Sequence, residues 1–337
     1  MMTAPTLRDV YRARKTIAPY VNRTPLVSAP WLSAQIDGSV SLKLETVQDI
    51  GAFKIRGATN RLQQMSAAER ECGVVAVSTG NHGRAVASAA QRLGISAVVC
   101  MSELVQPNKI DAIRALGAEV RIVGASQDDA EVEAMRLVRE EQRIFVHPFD
   151  DPEVIAGQGT IGLELIEDMP DIDFVVAGLS GGGLLGGIAL ALKAICADIR
   201  VIGVTMERGA AMIESIKAGA PVTVTELPTL ADSLGGGIGL DNRYTFELVR
   251  DLIDDLILVS EEQIVAAMRA LYYQQRLVTE GGAAVGVAAL MHGLIDGLIG
   301  RGACVISGAN VDMQTFARIV DASGNESAST SHPSSIQ

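Results

Sequence analysis

Short runs of β-branched and apolar residues alternate with longer amphipathic stretches along most of the chain. Between residues 73 and 146 the runs GVVAVS, ISAVVCM, AEVRIVG and IFVHPF are typical of strands, and stretches with helical periodicity separate them. The same order restarts near residue 173 with DFVVAGL and continues through RVIGVTM, DLILVS and ACVISGAN. Strands that alternate with helices form parallel sheets with helices on both faces. The sequence therefore predicts an α/β fold with two doubly wound domains.

The two predicted domains are not consecutive in the chain. The first 60 or so residues contain further helix and strand material, which we assign to the second unit. A large domain of residues 1–66 and 148–322 is then interrupted by a small domain of residues 67–147. Residues 323–337 are small and polar and show no apolar periodicity, so we expect a disordered tail there.

Composition limits the class of partner. The chain has 337 residues, 48% of them hydrophobic, which is enough for a sizeable core. Its formal net charge is −12, whereas nucleic acids and anionic membranes are bound through basic surfaces. We therefore expect a small-molecule ligand, no nucleic-acid partner and no membrane association.

Three features bear on location. Residues 174–192 carry no charge, but their middle, GLSGGGLLGG, has too many glycines for a membrane helix, so we predict a strand, a turn and a helix. The N-terminal MMTAPTLRDVYRARK becomes charged before any apolar run of signal-peptide length. Four widely spaced cysteines in apolar surroundings predict buried thiols in a reducing compartment, namely Cys72, Cys100, Cys196 and Cys304. We expect a cytoplasmic protein.

The stretch DIGAFKIRGATN places Lys54 between two bulky apolar residues, Phe53 and Ile55. One interpretation puts Lys54 at an exposed rim, with its aliphatic stem over Phe53. The other makes it a desolvated amine that loses its proton easily and can react. This stretch alone leaves both interpretations open.

Three more stretches follow predicted strands and combine glycine with polar side chains, namely STGNHGRAVA (78–87), GLSGGGLLGG (178–187) and ISGAN (306–310). The carboxyl ends of parallel strands meet at one edge of a sheet, where the N–H groups of the following helices bind anions. Successive small residues in 178–187 allow backbone amides to surround a phosphate. Ordinary turns, with Ser307 as a helix cap and His82 as a packed side chain, are the structural alternatives.

Two other functions compete on these motifs. Gly181, Gly183 and Gly186 satisfy the GxGxxG spacing of dinucleotide-binding loops, and Glu207 ends the next strand, where a ribose-binding acid is expected. An NAD-dependent dehydrogenase is therefore one alternative, although it gives Lys54 no role. A catalytically inactive ligand-binding sensor is the alternative outside the enzymes.

The segments AFKIRGA, STGNHG, SGGGL and SGAN, in this order, resemble the fold type II pyridoxal-phosphate enzymes, which share the tryptophan synthase β-like fold. Within them the chain is most similar to the threonine and serine dehydratase, serine racemase and hydroxyaspartate dehydratase group. VIAGQGTIGLELI, residues 154–166, is also similar to that group, and the likeness runs from about residue 8 to residue 320. Among its members, the dehydratases of hydroxyectoine breakdown are especially similar.

The resemblance implies pyridoxal 5'-phosphate as the cofactor and a role for each stretch. Lys54 matches the lysine that holds the cofactor as a Schiff base and removes the α-proton of the substrate. Phe53 is implied against the pyridine ring, Asn81 at the ring hydroxyl and Ser307 at the pyridine nitrogen. The implied phosphate site comprises Ser180, Gly181, Gly182, Gly183 and Leu184, and the implied site for the substrate carboxylate comprises Ser78, Thr79, Asn81 and His82.

The implied reaction is the α,β-elimination of water from a small β-hydroxy amino acid, which gives a 2-oxo acid and ammonia. A hydroxyl at Ser307 cannot fully protonate the pyridine nitrogen as a carboxylate would, and this favours early loss of the leaving group. An ammonia-lyase that acts on threonine, serine or a 3-hydroxyaspartate-like compound is therefore expected, and the family implies a homodimer.

Two positions depart from the family pattern. Thr79 stands where racemases of the group carry a catalytic serine and many dehydratases carry alanine, so Thr79 is a catalytic candidate and we expect minor racemisation. Glu207 and Ala211 match a cation site of several relatives, but Ile213 replaces the second carboxylate. We therefore predict no metal.

Arg84 is the candidate for substrate choice, because the family often has glutamine there. A cation in the first turn of a helix opposes the helix dipole and needs compensation, such as a substrate carboxylate. A solvated Arg84 on the outer face is the structural alternative, and Arg136 and Arg243 are weaker candidates.

Overall fold

The computed structural model describes residues 4–321 except Thr79, Leu104 and Gln106, so the predicted disordered tail lies outside the described residues. The strands are β1 (Leu26–Ser28), β2 (Asp37–Leu44), β3 (Val74–Val77), β4 (Ala97–Met101), β5 (Glu119–Ile122), β6 (Ile144–Phe145), β7 (Phe174–Gly178), β8 (Arg200–Met206), β9 (Asp255–Val259) and β10 (Ile299–Ile306). The α-helices are α1 (Leu7–Ile17), α2 (Pro30–Ser33), α3 (Lys54–Gln63), α4 (Ala67–Cys72), α5 (Asn81–Leu93), α6 (Pro107–Arg114), α7 (Gln127–Glu140), α8 (Pro152–Asp168), α9 (Gly183–Ile195), α10 (Ala211–Ala218), α11 (Thr245–Leu252), α12 (Glu261–Gln275), α13 (Gly281–Met291) and α14 (Met313–Asp321). Two 3₁₀ helices cover Glu45–Val47 and Asp232–Leu234.

The strands form a six-stranded sheet of order β1-β2-β10-β7-β8-β9 and a four-stranded sheet of order β5-β4-β3-β6. All paired strands are parallel except β1, which runs antiparallel to β2 at the edge of the larger sheet. The predicted α/β fold with parallel sheets is therefore confirmed, with this one antiparallel edge. Strand order reverses beside β3 and between β7 and β10, so the loops that leave these strands open onto the crevices where α/β proteins bind ligands.

The period of two along the central strands explains how each sheet buries both faces. In the smaller sheet Val74 and Ala76 pack in the core with α3 and α5, whereas Val75 and Val77 pack with α7. In the larger sheet α12, α13 and α14 cover one face and α8, α9 and α11 the other.

Helix α3 connects the two sheets. Its apolar residues Ile55, Ala58 and Leu62 belong to the core of the four-stranded sheet, while Gly57 lies directly against α8. The close approach requires glycine at position 57, because a Cβ there would lie 2.4 Å from Nε2 of Gln158 and 2.8 Å from a main-chain oxygen. The division into domains at residues 66/67 and 147/148 stays a prediction.

Local sequence signals mark several helix boundaries. Gly94 ends α5 in the left-handed conformation, and the capping box of Ser260 and Gln263 begins α12. Helix α5 begins at Asn81, inside the stretch 78–87, so Asn81 lies in the first turn of the helix. Residues 174–192 form β7, a turn and most of α9, as predicted, and no helix among the described residues is long and apolar enough to cross a membrane.

The prediction that all four cysteines are buried is wrong for two of them. Cys100 and Cys304 are buried, but Cys72 and Cys196 are exposed. Cys72 ends α4, which has no buried residue, and Cys196 follows the last residue of α9. Their positions at helix ends, rather than the apolar residues beside them in the sequence, decide their exposure.

Candidate active site

Backbone hydrogen bonds bring the segment before Lys54 alongside the segment after β10. The N–H of Phe53 donates to the main-chain oxygen of Ser307 at 3.0 Å, and Ala309 donates to Gly51 at 2.9 Å. Ala52 and Gly308 form an antiparallel bridge between these two bonds. Two of the motifs found in the sequence are thereby adjacent at the carboxyl edge of the larger sheet.

The amine of Lys54 is enclosed, although the residue keeps some exposed surface. Its Nζ donates a 2.6 Å hydrogen bond to the main-chain oxygen of Pro148 and lies 5.4 Å from the centre of the Phe53 ring. Burial lowers the pKa of Lys54 to about 8, and the charge of Glu280 opposes part of that shift. Lys54 is therefore a desolvated amine and does not lie at an exposed rim.

The turn that presents the carbonyl of Pro148 is held by His147. Nδ1 of His147 accepts hydrogen bonds from the N–H groups of Phe149 at 3.3 Å and Asp150 at 2.8 Å. Asp150 in turn accepts from three N–H groups at the start of α11, at 2.7 to 2.9 Å. The turn is thus fixed at both ends.

The Gly-rich loop after β7 packs under the same turn. A Cβ at Gly181 would lie 2.3 Å from the Phe149 ring, and one at Gly183 would lie 2.9 Å from the same residue. Gly182 has a φ of +85°, which other residues rarely adopt. The glycines are therefore required by close packing as well as by backbone conformation, a reason that the sequence did not suggest.

The start of α9 offers unpaired hydrogen-bond donors. Gly182 is the N-cap and supplies no side chain, and no acceptor within the described part of the chain pairs with the N–H groups of residues 181–185. These residues are buried, where an N–H group without a partner is unfavourable unless a ligand or a water accepts from it. Converging N–H groups at a helix N-terminus suit a phosphate, and the loop fits the phosphate of pyridoxal phosphate.

Asn81 begins α5, and its side chain contacts Glu280, an acid that the sequence motifs did not identify. Its Nδ2 donates to both carboxylate oxygens of Glu280, at 2.8 and 3.0 Å. Glu280 is the N-cap of α13, and burial raises its pKa above the usual carboxyl range, while the hydrogen bond from Asn81 acts in the opposite direction. The sequence feature that could have identified Glu280 is its position as a single charge before a long apolar run, TEGGAAVGVAALM.

Arg84 lies one turn after Asn81 on α5. Its guanidinium donates to Oδ1 of Asn310, and burial lowers its pKa, while the charge of Glu280 raises it. Within residues 4–321, apart from the three gaps, no carboxylate lies within ion-pair distance of Arg84. Arg84 is therefore a half-buried cation bonded to an amide, not the solvated arginine of the structural alternative.

His82 is neutral and held by the scaffold. Burial lowers its pKa to about 3, and the charge of Lys54 adds to the shift. Nε2 lies 2.8 Å from the main-chain oxygen of Val146, which can only accept, so the proton is on Nε2. Only Nδ1 then remains for a ligand.

Ser78 accepts a hydrogen bond from Gly80 at 3.1 Å, and Thr79, the catalytic candidate, lies outside the described residues.

The remaining candidates occupy the ends of strands. Ser307 directly follows β10 and is buried, and Ser180 follows β7. Glu207 is exposed after β8, Ala211 begins α10 and Ile213 is buried. No group of three acids, histidines or cysteines that could hold a metal occurs in the described part of the chain. The cofactor contacts predicted for Ser180 and Ser307 stay predictions.

Comparisons with known proteins agree with this arrangement. The family described as "Pyridoxal-phosphate dependent enzyme" matches residues 17–308. A Sinorhizobium fredii protein that carries a threonine dehydratase name is 51% identical over 94% of this chain and 95% of its own length. The L-threonine ammonia-lyase of Thermotoga maritima is 43% identical over 94% of this chain and 78% of its own length.

A solved structure shows the same fold. Maize serine racemase superposes with a TM-score of 0.89 at 34% identity, covering 94% of this chain and 97% of that one. A match to this family across most of the chain leaves the NAD-dependent dehydrogenase without support. The chain belongs to the pyridoxal-phosphate dependent enzymes of fold type II, with threonine dehydratases and serine racemases among its relatives.

Proposed function

We propose that this protein is an ammonia-lyase that eliminates water from a small β-hydroxy amino acid and yields a 2-oxo acid and ammonia. The observation that carries the proposal is the enclosed Lys54 amine, whose pKa is lowered to about 8. An amine with a pKa near the working pH is available both as a nucleophile towards an aldehyde and as a base. Bound pyridoxal phosphate supplies the electron-withdrawing group that acidifies the α-hydrogen of the substrate.

The cofactor contacts in this proposal follow the sequence motifs. Lys54 holds the cofactor covalently and, when released, accepts the α-proton. The N–H groups of Gly181 to Leu184, with the hydroxyl of Ser180, bind the phosphate, and their lack of other acceptors supports this role. Asn81 contacts the ring hydroxyl, Ser307 the pyridine nitrogen and Phe53 the face of the ring.

The substrate carboxylate is proposed to bind at the start of α5. Ser78 and Asn81 carry the side-chain donors available there, together with Thr79. The contact predicted for His82 is not part of the proposal, because its proton is on Nε2 and Nδ1 can only accept, as a carboxylate does. The N–H groups at the start of α5, which has no side-chain cap, favour an anion in the same place.

Arg84 favours a substrate with a second carboxylate. Threonine, serine, a 3-hydroxyaspartate-like compound and an acid from hydroxyectoine breakdown all carry the β-hydroxyl that the reaction needs. The half-buried guanidinium of Arg84 donates to an amide oxygen, and a charge-assisted hydrogen bond to a carboxylate is stronger than a bond to a neutral acceptor. We therefore propose a 3-hydroxyaspartate-like compound ahead of threonine and serine.

Racemisation is a second candidate activity, because the chain is similar to a serine racemase over most of its length. We propose it as a minor side reaction that depends on the hydroxyl of Thr79. The enzyme is expected to form pyruvate from L-serine faster than it forms D-serine. A rate of D-serine formation equal to that of pyruvate contradicts this ranking.

The test of the main proposal starts from the purified protein with added pyridoxal phosphate. We expect a visible absorption band that borohydride abolishes, with the added mass on Lys54, and ammonia release from at least one of the four substrates. Lys54→Ala is expected to lose both the band and the activity, while Lys217→Ala, at an exposed position, keeps both. A colourless protein that ignores the cofactor refutes the proposal, and a coloured one that releases no ammonia indicates the sensor.

We also propose that the enzyme is a cytoplasmic homodimer, on the basis of its family resemblance. Sedimentation equilibrium of the holoenzyme is expected to give twice the chain mass of 35.4 kDa. A single species at the chain mass contradicts the dimer.

A further inference from the structure

Four side chains form a continuous series of hydrogen bonds between the two sheets, in the order Arg84, Asn310, Asn81 and Glu280. Arg84 and Asn81 belong to α5, which follows a strand of the smaller sheet. Asn310 follows β10 of the larger sheet, and Glu280 caps α13, which packs on that sheet. We call these four residues the amide relay. The motifs gave no role to Asn310 or Glu280.

The orientation of the Asn310 carboxamide is determined by two neighbours whose hydrogen-bonding roles are unambiguous. Arg84 can only donate, and it contacts Oδ1 of Asn310. The main-chain oxygen of Ile50 can only accept, and it lies 2.8 Å from Nδ2 of Asn310. In a flipped carboxamide, Nδ2 of Asn310 would face the guanidinium of Arg84 and Oδ1 would face the oxygen of Ile50. Only one orientation therefore satisfies both neighbours.

This orientation is transmitted to Asn81. Nδ2 of Asn310 donates to Oδ1 of Asn81 at 2.6 Å, which leaves Nδ2 of Asn81 on the side of Glu280. The two oxygens of Glu280 accept from that Nδ2. If the Asn81 carboxamide flipped, its oxygen would face the carboxylate and its N–H₂ group would face another N–H₂ group. Both ends of the relay therefore resist the flip.

We infer that Asn310 is a positioning residue that acts through Asn81, with Glu280 as the acceptor that completes the orientation. The inference rests on the proposed function, in which Asn81 contacts the ring hydroxyl of pyridoxal phosphate. Nδ2 is the only donor of the Asn81 side chain, so its direction decides whether Asn81 can donate to that hydroxyl. The amide relay keeps the Nδ2 donor of Asn81 in one direction. It also links α5, which carries Asn81, to Asn310 and Glu280 beside the larger sheet.

The test is Asn310→Asp, which keeps the shape of the side chain and removes its donors. The aspartate still accepts from Arg84, but it faces the oxygens of Ile50 and Asn81, so the Asn81 carboxamide loses its defined orientation. We expect the dissociation constant for pyridoxal phosphate, measured by absorbance titration, to rise by about 10-fold or more. The pH titration of the absorption band is expected to shift as well.

The matched control is Asn22→Asp, which makes the same chemical change at an exposed asparagine that donates to Asp49. Its dissociation constant is expected to stay within about twofold of the wild-type value. Thermal unfolding shows whether each variant is folded. If Asn310→Asp does not fold, Asn310→Ala is measured in its place, with the same expected direction.

A double-mutant cycle separates positioning from general damage. If Asn310 acts through Asn81, substituting it in an Asn81→Ala background is expected to change the dissociation constant by less than about twofold. Equal effects in both backgrounds contradict the inference, as does an unchanged dissociation constant in Asn310→Asp. Failure of the wild-type protein to bind pyridoxal phosphate is a different outcome and overturns the proposed function itself.

Discussion

Nζ of Lys54 donates a 2.6 Å hydrogen bond to the main-chain oxygen of Pro148, 94 residues further along the chain. The bond joins the first turn of α3 to the segment that leaves the four-stranded sheet. That segment also carries Phe149, which packs on Gly181 and Gly183. One short turn therefore contacts both the amine of Lys54 and the loop proposed for the phosphate.

The lowered pKa of Lys54 has a consequence for stability. Between pH 8 and the ordinary lysine value of 10.5, the unfolded chain binds more protons at Lys54 than the folded chain does. The free energy of unfolding therefore rises with pH in this window, and the cost of Lys54 is largest below pH 8. Lys54→Met is expected to stabilise the cofactor-free protein by about 1–3 kcal/mol at pH 7, a gain that shrinks by pH 10.

Chemical denaturation of the cofactor-free proteins at pH 7 and pH 10 measures this difference. Lys217→Met, at an exposed ion pair with Glu214, is the control and is expected to change stability by less than about 1 kcal/mol at both pH values. A Lys54→Met gain that does not depend on pH contradicts the prediction.

Replacing Arg84 is expected to change substrate preference. Arg84→Gln removes the charge while keeping a side-chain amide near Asn310. Because charge-assisted hydrogen bonds contribute about 1.5–3 kcal/mol, kcat/KM for a 3-hydroxyaspartate-like substrate should fall at least 10-fold relative to that for threonine. Coupled ammonia assays on both substrates give the ratio. Arg136→Gln is the control, because Arg136 is already paired with Glu133 and Glu140 on α7. An unchanged preference in Arg84→Gln argues against a role for Arg84 in substrate choice.

Two glycines near the start of α9 are expected to respond differently to alanine. Gly181→Ala puts a Cβ 2.3 Å from the Phe149 ring, and overpacking of this kind costs about 1–3 kcal/mol. At Gly186 the nearest atom is 3.4 Å away and the residue is helical, so Gly186→Ala is expected to be neutral or to stabilise by up to about 1 kcal/mol. Denaturant unfolding of both variants provides the comparison. Equal losses at the two positions would show that the Phe149 contact is not the cause.

Arg56, on the first turn of α3, is buried between two acids. It bonds Glu45 at 2.8 Å and Glu164 at 2.6 Å, so Arg56→Met leaves the buried Glu45 without a cation and Glu164 with Lys43 alone, 2.8 Å away. We expect a loss of about 3–5 kcal/mol in the free energy of unfolding. Adding Glu45→Gln is expected to recover part of it, because one uncompensated charge is removed. If the double variant is no more stable than Arg56→Met, loss of packing rather than charge explains the effect.

The periodicity of the chain predicted both sheets, because a strand buried on both faces must be a continuous apolar run. β8 coincides with RVIGVTM, and the capping box at Ser260 marks the start of α12. These features depend on neighbours in the chain. The antiparallel edge strand β1 carries only three residues, too few for its direction to be predicted from periodicity.

The candidate site was predictable where its chemistry is carried by short motifs. Lys54, Asn81 and the loop after β7 were identified because ordered, spaced residues resemble a family. Glu280 and Asn310 were missed as functional residues, since a single acid before an apolar helix and a single amide after a strand are common in any α/β protein. Their significance comes from their contact with Asn81 across the two sheets.

The sequence by itself determined the order of strands and helices, the family and which lysine is proposed to hold the cofactor, since each of these depends on residues close together in the chain. Only the tertiary structure decided the environment of that lysine: the carbonyl of Pro148, the charge of Glu280 and the burial that lowers the pKa to about 8. Burial and electrostatic interaction depend on distances between groups in space, which segments far apart in the chain set only when the two sheets pack together.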